Sequence, residues 1–160
     1  MGIVLKTPLK KVSSFFDIVL DVLRDEITKA LSSLGEECVR LARDRSEDES
    51  WYNRSGNLRS SIGNGVYAEG RKIMSSVFSQ VLEGAEGSER GKRLIDELAA
   101  EYSKVYALAV VAAMPYADYV EAMENKVVLA SAELWAGQQS AAYLERAMKT
   151  AARRINSIKL

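Results

Sequence analysis

Residues 51–78 read WYNRSGNLRSSIGNGVYAEGRKIMSSVF, and the rest of the chain is organised around this stretch. Two short runs with strand-like patterning, residues 58–62 and 73–78, are separated by the sequence Ala-Glu-Gly-Arg at residues 68–71. Glycine beside short polar residues is typical of the loop of a β-hairpin. The stretch therefore predicts an antiparallel hairpin over residues 57–78.

The first strand of this hairpin is expected to follow a tight turn at residues 56–57, where glycine supplies backbone freedom. Beyond the turn, alternate residues from Leu58 to Ile62 would lie on one side of an extended chain. Gly63 and Gly65 then interrupt the apolar pattern. Glycine inside a strand often marks a bulge or bend, so we expect one at these positions.

The composition narrows the classes of function. With 160 residues, 48% of them hydrophobic, one domain with a real core is expected. The 22 basic and 22 acidic residues give zero formal net charge, so no global charge favours nucleic acid or a membrane. The absence of histidine and the single cysteine exclude histidine-dependent catalysis and the usual zinc sites. We expect no cofactor, no metal and no small-molecule substrate.

A helical spacing of apolar side chains continues from residue 10 to residue 45 and predicts a long amphipathic helix, either continuous or broken near Gly35. Unbroken, it would span ~50 Å at ~1.5 Å per residue. That length exceeds the width of a compact domain, so the helix must project or pack against another long helix or a neighbouring subunit. Cys38 falls on the apolar stripe and is expected to be a buried thiol.

One helix and one further strand are predicted after the hairpin. Residues 88–103 have a short amphipathic pattern with Ser88 as the expected N-cap, and the glycines of residues 83–91 indicate a mobile loop. Residues 105–114 are apolar on both sides, which is typical of a sheet-centre strand or a buried helix. Their β-branched side chains and the proline that follows favour a strand.

The last third of the chain is predicted to be mostly helical. Residues 116–121 are interpreted as a polar-aromatic turn or short extension, and residues 126–158 as two helices separated at Gly137. Several basic side chains lie close together at the carboxyl end, where positive charge complements the dipole of the last helix. The same side chains could also contact DNA directly, and the sequence does not decide between the two roles. These cations are Lys149, Arg153, Arg154 and Lys159.

Together these elements predict a single α+β domain over residues 1–160. A long N-terminal helix would accompany an antiparallel hairpin plus one further strand in a small sheet, with C-terminal helices packed on it. The apolar run at residues 1–6 is too short for a secretory signal, so an intracellular protein without a membrane anchor is expected.

Two segments of the chain resemble a family of phage proteins. The first motif segment, residues 54–62 (RSGNLRSSI), is similar to the Arg-Thr/Ser-Gly-x-Leu-x-x-Ser-Ile signature of small tail-component proteins of long-tailed double-stranded DNA phages. The second motif segment, residues 110–121 (VVAAMPYADYVE), resembles the family's later valine-rich strand followed by Tyr-Ala-x-Tyr-Val-Glu. In the family, glycine and a proline-rich stretch usually follow Tyr-Val-Glu, whereas no proline follows the second segment here. The part between the hairpin and the later strand, residues 80–102, is also longer than in the family. With these differences, the resemblance implies a divergent, prophage-borne branch of the family.

The resemblance implies a non-enzymatic structural role in tail completion or head–tail joining. It implies a homo-oligomeric ring whose neighbours are phage neck, tail-tube or connector proteins. The protein would be in the bacterial cytoplasm during assembly and in the virion neck or tail afterwards. The residues that the two motifs mark for fold or contact are Arg54, Gly56, Asn57, Leu58, Arg59, Ile62, Tyr116, Tyr119 and Glu121.

Some of these residues have a simpler interpretation. Leu58 and Ile62 are expected to be core residues, whatever the function. The shared motifs also motivate the hypothesis that Glu121 pairs with Arg54 or Arg59.

Other functions stay open from the residues alone. One is a small DNA-binding or regulatory protein that uses the basic C-terminal helix. Another is a carboxylate-dependent hydrolase that uses Asp118 with Glu121, or Glu36 with Glu37. A third is a plain helical scaffold protein of unknown role.

Overall fold

The computed structural model describes residues 8–45, 51–123 and 126–158 and confirms the α+β class. Residues 1–6 and Lys159, on which predictions were made, lie outside the described residues. The elements, in chain order, are α1 (Leu9–Arg43), α2 (Asn57–Ser60), β1 (Ile62–Ala68), β2 (Arg71–Ser75), α3 (Ala85–Glu97), β3 (Ala107–Ala112), α4 (Ala117–Glu121) and α5 (Ala130–Asn156). None of the described helices is long and apolar enough to cross a membrane.

The sheet has three strands in the order β2-β1-β3, with both neighbours antiparallel to β1. The hairpin prediction is confirmed by the pairing of β1 with β2, and its turn residues Glu69 and Gly70 have φ angles of 53° and 75°. The apolar run at residues 105–114 does form a strand, β3, but at an edge of the sheet rather than at its centre. The central strand is β1, in which all seven residues are buried.

Glycines allow β1 to occupy the centre. A Cβ at Gly63 would overlap the ring of Phe78, and one at Gly65 would lie 2.5 Å from the Tyr67 hydroxyl. The two glycines therefore make room for the rings of Phe78 and Tyr67 on this face of the sheet. The bulge predicted at them is misplaced, because the register of β1 against β2 shifts between Val66 and Tyr67.

The hairpin begins later than predicted, because residues 57–60 form the short helix α2 and β1 starts only at Ile62. The extended alternation from Leu58 was therefore wrong. Leu58 and Ile62 are four residues apart, a spacing that puts two side chains on one side of either a helix or a strand. The helical turn is closed by the Ser60 N–H, which donates to the Gly56 carbonyl at 2.9 Å.

The two long helices, α1 and α5, lie antiparallel along each other. Cys38 is buried with its sulfur 3.8 Å from the Ala132 carbonyl, whereas Arg154 near the other end of α5 pairs with Asp25 and Glu26 of α1. Both helices are continuous, so the break predicted at Gly137 is wrong. Packing along the shared face outweighs the modest cost of one glycine inside a helix, ~1 kcal/mol.

Hydrophobic cores lie on both faces of the sheet. On the α1 face, Ile62 packs with Val39 and Ala42 of α1. On the α3 face, Tyr67 packs with Phe78 and Ile95, and its hydroxyl donates to the Ile95 carbonyl at 2.7 Å. Burial raises the pKa of Tyr67 to about 12.

Helix α3 begins before the predicted start at residue 88 and ends in a single 3-10 turn, Leu98–Ala100. Ser88 lies inside the helix and is not its N-cap; its hydroxyl donates to the Phe78 carbonyl at 2.6 Å. Gly84, Gly87 and Gly91 are buried where a Cβ would overlap neighbouring atoms. Close packing, rather than a mobile loop, therefore explains these glycines.

Candidate interaction surface

The fold brings the two motif segments into contact. The Ala113 N–H donates to both the carbonyl and the hydroxyl oxygen of Ser61, at 3.3 and 3.1 Å. Ile62 is the register partner of Ala112 in the adjacent strand. The segments are therefore neighbours in one sheet, although about fifty residues separate them along the chain.

Leu58 and Ile62 are core residues, as the simpler interpretation expected. They are 3% and 0% exposed and belong to the cluster that includes Trp51, Met114 and Ala117. These two side chains are almost completely buried. They position the motif segments instead of contacting a partner.

Gly56 and Asn57 hold the loop that precedes α3. Gly56 has φ +79°, and a Cβ there would overlap the Val81 carbonyl oxygen, so both conformation and space require glycine. The Asn57 carboxamide oxygen accepts the Gly87 N–H at 3.2 Å, in the first turn of α3. This bond satisfies one of the N–H groups that a helix start leaves without a partner.

Arg59 joins the first motif segment to the end of α1. Its guanidinium donates to the carbonyls of Arg43 and Arg45, at 3.1 and 2.8 Å, and lies 5.5 Å from the centre of the Trp51 ring. The last carbonyls of a helix lack intrahelical donors, and a cation also complements the helix dipole there. Arg59 is therefore a structural residue within the chain.

Glu121 caps the start of α5. Its carboxylate accepts the N–H groups of Val128, Leu129 and Ala130, at 3.0, 2.6 and 3.3 Å. A negative charge at the N-terminus of a helix is stabilising, because unpaired N–H groups and the positive end of the dipole meet there. Within the chain the predicted pairing of Glu121 with Arg54 or Arg59 is wrong, since backbone groups occupy Glu121 and Arg59.

The remaining motif residues, Arg54, Tyr116 and Tyr119, have exposed side chains. With two further exposed side chains, Tyr52 and Met123, they form what we call the motif surface. All but Tyr119 line a depression of about 470 Å³, which Leu58 and Val120 also border. Partial burial, and secondarily the charge of Glu86, raises the pKa of Tyr116, so its phenol is neutral near pH 7.

Sequence reasoning missed Tyr52 and Met123, which are 71% and 45% exposed. The Trp51-Tyr52 pair directly before the first motif segment was an available signal, since adjacent residues of an irregular segment can point in different directions. Trp51 is buried in the core and Tyr52 faces outward. Met123 follows the second segment, and no local pattern marked it.

Residues 116–121, expected as a turn or extension, form mainly the short helix α4, which presents Tyr119.

The carboxylates considered for catalysis are mostly engaged elsewhere. Glu36 accepts the Asn64 amide at 2.8 Å and Glu37 pairs with Arg40 at 2.9 Å. Asp118 is exposed, and its proposed partner Glu121 is bonded to backbone N–H groups. Within residues 8–45, 51–123 and 126–158 no cluster of three or more potential metal ligands occurs.

The chain was compared with protein-family models, with curated proteins and with solved structures, and no match was found. The resemblance to phage tail components therefore rests on the two motif segments alone.

Proposed function

We propose that this protein is a structural subunit of phage morphogenesis, which acts in tail completion or head–tail joining. The observation that supports this role best is the arrangement of the motif segments. They pack against each other, and Arg54 of the first segment and Tyr116 of the second line one depression together with the neighbouring Tyr52 and Met123. The proposed location is the bacterial cytoplasm during assembly and the virion neck or tail afterwards.

The chemistry of the motif surface favours a protein partner. Tyrosine, arginine and methionine are enriched in protein interfaces, and tyrosine and arginine frequently dominate the binding energy. Tyrosine buries a large area and has few rotatable bonds, so little entropy is lost when it is fixed. A neck, tail-tube or connector protein with an acidic and apolar patch would complement Arg54 and the tyrosines.

The motif surface is also fixed in position by hydrogen bonds from neighbouring motif residues to three helices. Arg59 bonds to the last residue of α1, Asn57 to the first turn of α3 and Glu121 to the first residue of α5. These three helices therefore fix the segments that present the exposed residues. Preorganised side chains lose less free energy on binding than mobile ones. Some motif residues therefore position the segments, and the exposed ones are available to contact a partner. An assembly subunit needs both kinds of residue.

A ring requires that each copy contact the next through two different surfaces related by a closing rotation. The proposed subunit would therefore use at least one surface besides the motif surface. The near-neutral composition, with 22 basic and 22 acidic residues, avoids strong repulsion between identical neighbours.

Electron microscopy of particles induced from the source strain, with and without the gene, tests the role. We expect full heads and free tails in the deletion strain, and joined particles after complementation. Normal infectious particles without the gene would exclude a joining or completion role.

Complementation with variants tests the surface itself. We expect an Arg54→Ala, Tyr119→Ala double variant to fold normally but to leave heads and tails separate. Leu134→Ala, which alters an exposed apolar residue on α5, is the control and should restore joining. Equal rescue by both variants would remove the motif surface from the proposal.

A further inference from the structure

The outer edge of β3 has backbone groups without partners. The Ala113 N–H bonds to Ser61, so the alternation of an antiparallel ladder turns the N–H and C=O groups of Leu108, Val110 and Ala112 away from β1. These groups form no hydrogen bond with any residue that the structure describes. The edge is therefore open to another strand.

The other edge of the sheet, β2, is protected by contrast. It carries the charged residues Arg71 and Lys72 and a register shift, features that discourage strand addition. The sequence of β3, Ala-Leu-Ala-Val-Val-Ala, has no charge and no proline. Its pairing with β1 has no register shift, and an apolar, unpaired edge of this kind is the type that pairs with another chain.

A groove of about 440 Å³ lies beside this open edge, between α1, β3 and α5. Its walls are mainly apolar and include Leu34, Cys38, Leu108, Val110, Ala132 and Ala136. Leu108 and Val110 supply both the groove wall and outward backbone groups. A strand added to β3 would therefore place alternate side chains in the groove.

We propose that this edge and groove accept residues 2–6 of a second copy of the chain, Gly-Ile-Val-Leu-Lys. These residues lie outside the described part of the structure. Ile3, Val4 and Leu5 are apolar, and two of them are β-branched, which suits a strand in an apolar groove. If Ile3 and Leu5 enter the groove, Lys6 can approach Glu133 at its border.

The length of α1 excludes the same contact within one chain. Leu34, at the groove, lies ~38 Å along the continuous helix from Leu9, at ~1.5 Å per residue. Ile3 is six residues from Leu9, and a fully extended chain of that length reaches only ~20 Å. The segment of one copy can therefore fill only the groove of another.

The contact is head-to-tail, because each copy donates at one surface and accepts at another. Such contacts form rings when the rotation closes. The inference does not depend on the proposed phage role, since it concerns the association of the purified chain alone.

The test measures the mass of the full-length protein by light scattering across a concentration series. We expect the unaltered chain to associate and the Ile3→Asp, Leu5→Asp variant to be monomeric. Val4→Thr, on the opposite side of the donated strand, is the control and should associate normally. Unchanged association of the double aspartate variant would overturn the proposal.

A binding measurement identifies the groove. A labelled peptide of residues 1–8 should bind the monomeric double aspartate variant, and Val110→Pro in that background should weaken binding at least about tenfold by removing an outward N–H. Circular dichroism establishes that the proline variant is folded, and Val110→Lys serves as a second edge variant. The assignment would be contradicted if the double aspartate variant did not bind the peptide. It would also be contradicted if both folded edge variants bound the peptide as tightly as the double aspartate variant does.

Discussion

The two motif segments differ in where their side chains go. In the first, Leu58 and Ile62 are buried, and Gly56, Asn57 and Arg59 have structural roles, so only Arg54 faces outward. In the second, Tyr116 and Tyr119 are exposed and Glu121 caps a helix. The contrast teaches that a sequence motif can mix positioning residues with contact residues. Substitutions can separate the two groups, because the former change stability and the latter change binding.

The largest effect is expected at Gly56. Gly56→Ala forces a side chain into a positive-φ site and onto the Val81 carbonyl, and should lower the free energy of unfolding by ~3 kcal/mol or more. Gly137→Ala is the matched control, since open space surrounds that helical glycine, and it should stabilise by ~0.5–1 kcal/mol. Urea unfolding of both variants measures the difference. Equal effects would mean that Gly56 is not constrained.

Alkaline pH should lower the free energy of unfolding mainly through ionisation of the buried Tyr67, and less through the exposed tyrosines of the motif surface. The pKa of Tyr67 is raised from 10.0 to about 12 by burial, so the fold favours the neutral phenol. The associated stability is complete below pH ~10 and is lost as the pH rises toward ~12, up to ~2.7 kcal/mol for a two-unit shift.

Urea unfolding from neutral to alkaline pH measures this loss. Tyr67→Phe should be less stable at neutral pH by ~1 kcal/mol, because it lacks the bond to Ile95, and should lose less stability as the pH rises. Tyr119→Phe is the exposed control and should follow the unaltered chain. Parallel curves for all three proteins would contradict the assignment to Tyr67.

Arg59 and Arg54 give a direct comparison within the first motif segment. Arg59→Ala leaves the Arg43 and Arg45 carbonyls without their donor and should cost ~2 kcal/mol of unfolding free energy. Arg54→Ala, at an exposed position, should change stability by less than ~0.5 kcal/mol. Thermal unfolding distinguishes the two, and a reversed order would refute the division into positioning and contact residues.

The smallest of these effects is expected at Glu121. Glu121→Gln keeps an acceptor but removes the charge at the start of α5, and should cost ~1 kcal/mol. Tyr119→Ala, two residues earlier and exposed, should be nearly neutral for stability. Denaturant titrations at low and high salt measure both. The loss at Glu121 should shrink with salt, because screening weakens charge–dipole interactions.

Much of the fold followed from local patterns. The helical spacing over residues 10–45 predicted α1, and the turn sequence at residues 68–71 predicted the hairpin that Glu69 and Gly70 close. Cys38 was assigned to the core because helical periodicity reports which side of a helix is buried. Leu58 was also assigned to the core, although residues 57–60 are helical, because its four-residue spacing to Ile62 puts both side chains on one side of either a helix or a strand. The surface was predicted only in part, since Tyr52 and Met123 have no periodic pattern around them.

By itself, the sequence determined the long helix α1, the helical character of α3 and α5, and the hairpin, because periodicity and turn chemistry act between residues close along the chain. It also placed Cys38, Leu58 and Ile62 in the core. Only the tertiary structure decided that β1 is central, that residues 57–60 are helical and that α5 is unbroken. It also assigned the partners of Arg59 and Glu121. These outcomes depend on which distant segments pack together. An arginine or a glutamate in a sequence has the same donors or acceptors whichever helix end it eventually meets.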